Sequence, residues 1–246
     1  MNNSSKKPAL LLLPNLLGEH RHHELFLPAS VDKAVSTLDG LIAESEQAGR
    51  RFLSRFQTKK PAHHTPLCLY HRHTPDDEID FILEPVQKGE RWGLIADSGL
   101  PCIADPGAKL VRRARLLGIE VKAFIGPSSL FLALMLSGLS AQSFTFHGYL
   151  DKDLEKLKGS LIAIERQSRQ TGGTQMFMER PYRNPDVLEA LVNTLSGDTV
   201  LCIAWELTMP EQGVLTQTVS AWKKSPLPNL RKKNALFLFN AEVEQS

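Results

Sequence analysis

Gly93-Leu94-Ile95-Ala96-Asp97-Ser98-Gly99-Leu100-Pro101-Cys102-Ile103-Ala104-Asp105-Pro106-Gly107 reads as a strand, a loop and a helix start in immediate succession. Trp92 to Ala96 is a short apolar run of the kind that forms a buried strand. Asp97 to Ala104 is a loop of small residues punctuated by Gly99 and Pro101. Asp105 has the chemistry of an N-cap, with Pro106 at the first helical position, where its missing N–H costs nothing. Leu110, Val111, Ala114 and Leu117 then give a helix an apolar face, and Gly118 supplies its stop. A loop at the carboxyl end of a sheet strand is where open α/β sheets bind ligands. The next unit repeats the pattern: Ile119 to Ile125 is apolar, Gly126-Pro127-Ser128-Ser129 follows, and an apolar helix runs to Gly138. Two consecutive strands ending in such loops favour a ligand site over two unrelated turns.

The rest of the chain continues the rhythm. Strands are expected at Ala9–Leu13, Leu41–Ala43 and Leu67–Tyr70, with helices after Glu44 and over Asp76–Lys88. That is β-α-β-α-β order and argues for a parallel sheet covered by helices. From about Gly126 the order changes. Strands are expected at Phe144–His147, Thr174–Met178, Thr199–Ala204, Val214–Thr218 and Ala235–Phe239. Helices are expected at Leu154–Arg169 and at Asp186–Leu195, the latter capped by Asn184. The expectation is two α/β domains, residues 1–125 with a mostly parallel sheet and residues 126–246 with a mixed sheet.

Composition narrows the class. The 246 residues are 42% hydrophobic with a net charge of +2, which suits a soluble protein and carries no global polyanion signature. Cys68, Cys102 and Cys202 are odd in number and without metal-type spacing, so a reducing compartment is expected and no metal. Pro8–Leu17 is too short to span a bilayer, so no membrane is expected, and no small-residue cleavage site follows it. Met1–Lys7 reads as a polar tail. Basic residues gather at Lys59-Lys60, Arg112-Arg113-Arg115, Lys223-Lys224 and Arg231-Lys232-Lys233. Such clusters serve as solvated faces or as local patches for RNA.

The motifs resemble a known family. Residues 96–107, ADSGLPCIADPG, are similar to the S-D-A-G-T-P-L-I-S-D-P-G signature of the tetrapyrrole methylase superfamily. More narrowly they resemble the branch that methylates a ribose 2′-hydroxyl in small-subunit ribosomal RNA. GPSSLFLALMLSGLSAQSFTFHGYL at 126–150 and MFMERPYR at 176–183 resemble further motifs of that branch in register. The resemblance implies S-adenosyl-L-methionine as cofactor, folded in a cleft between the two domains. Carried over by position, it implies cofactor contacts at Ser98, Gly99, Leu100 and Ile103, at Ser128 and Ser129, and at Glu179 and Leu207. It also implies a ribosomal RNA or small-subunit partner, a cytoplasmic location and a homodimer.

This chain departs from the family at three places. The first strand ends in Pro14-Asn15-Leu16-Leu17-Gly18-Glu19, where the family has a glycine-rich turn that touches the cofactor. Ser45 stands where the family has an aspartate in A-E-D-T-R, leaving Glu44 and the extra carboxylate Glu46. The sequence to Ser246 is also expected to lack the small extra C-terminal domain that some ribosomal RNA members carry. Transfer from a sulfonium methyl group needs alignment above all. A ribose hydroxyl also needs its proton removed, for which Glu44, Glu46 and His71 are the candidates. His71 and His73 lie two apart, on one face if the segment is extended. Acidic residues at a helix start and exposed loop histidines are the plain structural alternatives. At this stage three activities remain open: RNA ribose methylation, carbon methylation of a tetrapyrrole, and cofactor or RNA binding without catalysis.

Overall fold

Runs such as Ala9-Leu10-Leu11-Leu12 and Gly40-Leu41-Ile42-Ala43 have no polar face, so both faces of their sheet must be covered. The computed structural model describes residues 7–20 and 22–241, and it divides the chain into two compact units, Met1–Ser128 and Ser129–Ser246. The polar tail expected at Met1–Lys7 lies, apart from Lys7, outside the described residues.

The first unit holds β1 (Ala9–Leu12), β2 (Gly40–Ala43), β3 (Leu67–Leu69), β4 (Arg91–Leu94) and β5 (Val121–Ala123). All pairings are parallel, in the order β3-β2-β4-β1-β5. Neighbouring residues of one strand go to opposite faces. Leu11 and Leu41 pack with Val31, Val35, Phe52 and Leu53, while Leu10 and Ile42 pack with Ile79, Leu83, Leu110 and Ala114. The first face is covered by α1 (Ala29–Val35) and α2 (Glu46–Leu53), the second by α3 (Glu78–Gln87) and α4 (Ala108–Leu116). Since the strands are parallel, the loops that follow all five lie at one edge of the sheet.

The second unit opens with α5 (Ser129–Ser137) and holds β6 (Phe144–Tyr149), β7 (Thr174–Met178), β8 (Val200–Trp205), β9 (Gly213–Thr218) and β10 (Ala235–Asn240). The order is β6-β7-β10-β8-β9. Only β6 and β7 pair in parallel, so this sheet is mixed. One face packs on α6 (Leu154–Thr171), α7 (Asn184–Thr194) and α8 (Val219–Trp222), and the other on α5. The fold class is therefore the expected one, two α/β bodies of which the first is wholly parallel.

Three local expectations are corrected. Asp105 does not cap α4. That helix begins at Ala108 behind Gly107, whose φ of 141° and whose 2.5 Å distance from an ideal Cβ position to Cys102 Sγ admit only glycine. Asn184 does not cap α7 either. It sits inside the helix, fully buried, and its amide donates to Lys233 O at 2.7 Å. His71–Thr74 is a turn rather than an extended segment: Thr74 N donates to His71 O at 2.9 Å, and His71 N donates to Thr74 Oγ1 at 2.9 Å.

Candidate active site

The turn after β1 and the loop after β4 are built as one piece. Asn15 is 4% exposed, and its amide donates to Ala96 O and Asp97 O, both at 3.0 Å. Its Oδ1 accepts from Leu16 N at 2.9 Å. Asn15 N donates to Gly99 O at 2.8 Å, Gly99 N donates to Leu16 O at 3.4 Å, and Ser98 Oγ donates to Leu17 O at 3.3 Å. A buried amide making these bonds holds the two backbones in register, because leaving any of its groups unpaired would cost about 1–3 kcal/mol. The turn that lacks the family's glycines thus acts here as a brace for the central loop.

That loop has an unusual backbone. Gly99 (φ 71°), Cys102 (φ 69°) and Ala104 (φ 61°) all adopt left-handed conformations, two of them without being glycine. Such residues persist only where the surroundings hold them, and they gather at ligand sites. Leu100 is half-buried, and Ile103 is 45% exposed. An ideal Cβ at Gly99 would lie 3.5 Å from Pro127 O, so the loop reaches the backbone just before the buried Ser128.

The bend of the loop leaves Asp105 half-buried near other carboxylates instead of at a helix start. Burial, then the charges of Glu44 and Asp97, push the Asp105 carboxyl up to about 7. Glu44, half-buried just past β2, is raised first by burial and then by Asp97; a hydrogen bond from the Asp97 backbone and the nearby His71 oppose this. Three acids therefore share one field, and one of them exchanges its proton near neutral pH, as a general base must. Cys102 is pushed up to about 11 by burial and by Asp105, so it stays a thiol and is no nucleophile at neutral pH. Among the described residues, no group of three or more His, Cys, Asp or Glu is arranged to hold a metal ion.

The residues singled out from sequence thus separate. Glu44, His71, Ser98 and Gly99 belong to the loops after β2, β3 and β4, at one sheet edge. Glu46 points elsewhere: it is exposed and pairs with Arg50 Nε at 3.5 Å one helical turn on. Ser45 caps α2, its Oγ accepting from Ala48 N at 3.2 Å. In the second unit, Ser129 opens α5. Glu179 is buried at the end of β7, where its Oε1 accepts from Arg180 N at 2.7 Å and its Oε2 lies 3.3 Å from Arg183 Nη1. Leu207 is buried beside Met176, Ala204 and Leu236, between Glu206 (φ 47°) and Thr208 (φ 72°), again a left-handed pair that is not glycine. Sequence reasoning passed over Asp97, Asp105 and Asn15. The first two lie within residues 93–107, where Asp105 has the local chemistry of a cap. Asn15 carried no signal beyond being the one amide in an apolar turn.

Comparison with known proteins agrees with this geometry. The sequence pattern of the family described as Tetrapyrrole (Corrin/Porphyrin) Methylases matches residues 20–222. A Bacillus subtilis protein named Ribosomal RNA small subunit methyltransferase I is 30% identical over 223 residues, covering 89% of this chain and 70% of that protein. A protein of the same name from Xylella fastidiosa is 32% identical over 184 residues, covering 75% of this chain and 64% of that one. This chain thus spans about two thirds of the length of these relatives. Among solved structures, the methyltransferase CobJ superposes with a TM-score of 0.64 at 17% identity, covering 95% of this chain and 94% of its own. A cobalt precorrin-4 methyltransferase superposes with a TM-score of 0.60 at 14% identity, covering 98% of each chain. At those identities the likeness is one of fold.

Proposed function

Because the chain belongs to the tetrapyrrole (corrin/porphyrin) methylase family, in the branch of the ribosomal RNA small-subunit methyltransferases, we propose that it methylates a ribose 2′-hydroxyl in small-subunit ribosomal RNA with S-adenosyl-L-methionine. The observation that carries this reading is the joint presence of a braced, left-handed loop over 97–104 and a carboxyl group that titrates near 7 beside it. The residues present suit the cofactor. Gly99 has no Cβ to block approach to the loop backbone, Ile103 offers an exposed apolar side chain, and the acidic group suits a cation. When bound, S-adenosyl-L-methionine supplies an electrophilic methyl group on a sulfonium centre.

The chain's own part is then orientation and proton removal. Ser98, Gly99, Leu100 and Ile103 on one loop, with Ser128 and Ser129 on the next, are the proposed cofactor contacts; Glu179 and Leu207 are the proposed contacts of the second unit. Asp105 is the proposed base, with Glu44 and Asp97 setting its proton affinity. Glu44 and His71 remain candidates to orient the acceptor, since their charges act on each other. Glu46 is set aside, because it is spent in a surface pair with Arg50. Glu44→Gln is expected to lower methyl transfer at least about tenfold, and Glu46→Gln less than about twofold, in a single-turnover assay. Equal losses would remove Glu44 from the site.

The test of the function itself is mass spectrometry of small-subunit ribosomal RNA from cells with and without the protein. Loss of one ribose methyl group is expected, and an unchanged methylation map would overturn the reading. A cytoplasmic location is part of the proposal, supported by three cysteines that all remain free. No helix among the described residues is long and apolar enough to cross a membrane.

A homodimer is also proposed. The support is α5, which is apolar all round, packs one side on its sheet, and leaves Phe131 (50%), Met135 (77%) and Leu136 (47%) exposed beside Phe144. Light scattering is expected to report two chains per particle, and Met135→Glu to shift the mass to one chain. A parent that is already monomeric at working concentration would sink this part.

A further inference from the structure

Beside the central loop lies a second feature that the proposed chemistry does not use. The turn after β1 and α2 border an open pocket of about 110 Å³, lined among others by Leu17, Gly18, Ser98, Arg51 and Arg55. Arg51 stands on α2 and Arg55 two residues past its end, and both line the pocket. Arg55 is half-buried, yet among the described residues it has no carboxylate within ion-pair distance. Its one hydrogen bond runs from Nη1 to Asn15 Oδ1 at 3.3 Å. Burial lowers the Arg55 pKa, the neighbouring Arg51 lowers it further, and Glu19 opposes both. Arg51 meets Glu19, at 2.6 Å between Nη1 and Oε1, but both side chains are well exposed, at 44% and 82%.

The lining carries two guanidinium groups and two carboxylates, Glu19 and Asp97, so the opening for an anion rests on Arg55, which among the described residues neither carboxylate pairs. A half-buried guanidinium with most of its donors unspent is partly desolvated and open to a ligand, and its planar fork matches the oxygens of a phosphate. The pocket shares Asp97 and Ser98 with the central loop, so an anion there would sit next to the proposed site of methyl transfer. We propose that this pocket is a phosphate subsite that holds the backbone of the RNA chain, with Arg51 and Arg55 as its donors and Glu19 as the group the phosphate displaces. The inference rests on the proposed RNA methylation and adds the place where the RNA is gripped.

The test measures binding of small-subunit ribosomal RNA across a salt series, and binding of S-adenosyl-L-methionine by calorimetry without RNA. Arg51→Ala is the main variant, because its side chain is exposed and its partner is the exposed Glu19. It is expected to weaken RNA binding about fivefold and to flatten the log–log salt slope by about 0.7–0.9, the loss of one phosphate contact. Glu19→Gln is expected to tighten RNA binding, because the competing carboxylate is gone. S-adenosyl-L-methionine affinity should stay within about twofold of the parent in both variants. If Arg51→Ala weakens the cofactor as much as the RNA, the pocket belongs to the cofactor and the subsite is overturned. RNA binding that Arg51→Ala leaves unchanged overturns the subsite alone. A parent protein that binds no RNA overturns the proposed function and the subsite together.

Discussion

Gly99→Val is expected to weaken S-adenosyl-L-methionine binding at least about tenfold and to lower the melting temperature as well. Gly99 is buried at φ 71°, where a β-branched side chain is strained by about 1–3 kcal/mol. Its carbonyl accepts from Asn15 N at 2.8 Å, so relief of the strain would disturb the brace between the turn after β1 and the central loop. A Cβ at this position would also lie 3.2 Å from Leu17 Cδ2, tighter than an ordinary contact, and 3.5 Å from Pro127 O, at ordinary contact. The control is Gly118→Val. Gly118 has the same φ of 71°, but nothing lies within 4 Å of its Cβ position. The control should therefore lose stability through backbone strain while binding the cofactor like the parent. Calorimetry and thermal melts on both variants check the pair. Equal cofactor affinity in the two would make the loop around Gly99 a structural connection only.

Asp105→Asn is expected to change activity and stability in opposite directions. As the proposed base, Asp105 contributes about 10²–10⁴-fold to the rate, so methyl transfer should fall by that order, and the rise in rate through about pH 7 should disappear. Stability follows from the sign of the shift. The carboxyl binds its proton more tightly in the folded chain, at about 7, than in the unfolded chain, near 4. Folding stability is therefore lost as pH rises from the unfolded value through about 7. Asparagine carries no charge to desolvate near Glu44 and Asp97. The variant should melt a few degrees above the parent at pH 8, and by clearly less at pH 5, with the gain moderated by solvent screening at a half-buried site. Rate–pH profiles and melts at the two pH values measure both effects. A variant that loses activity and is also less stable at pH 8 would mean that Asp105 is a structural hydrogen-bonding group rather than a tuned base.

Much of the fold is legible in the sequence. Leu-rich strands with no polar face, spaced by helices, dictate a buried parallel sheet, and every strand of the first unit was located to within about two residues. Residues 93–107 show their strand, loop and helix openly, because each has local signals within a few residues. The failures share one physical cause. Asp105 beside Pro106 has all the local chemistry of a cap, yet the contact between Gly107 and Cys102 delays the helix by two residues and leaves Asp105 among the acids. Asn184 fails in the same way, because its amide is claimed by the carbonyl of Lys233, 49 residues away. Local propensity decides which backbone a segment prefers, and it is sufficient for the strands, for the helices other than α1 and α8, and for Gly99. Whether Glu44, Asp97 and Asp105 share a field, whether Asn15 braces a loop 82 residues away, and whether Arg55 is left without a carboxylate are questions of proximity. Electrostatic coupling and burial depend on distances that the packing of distant segments creates, and so only the tertiary structure decided them.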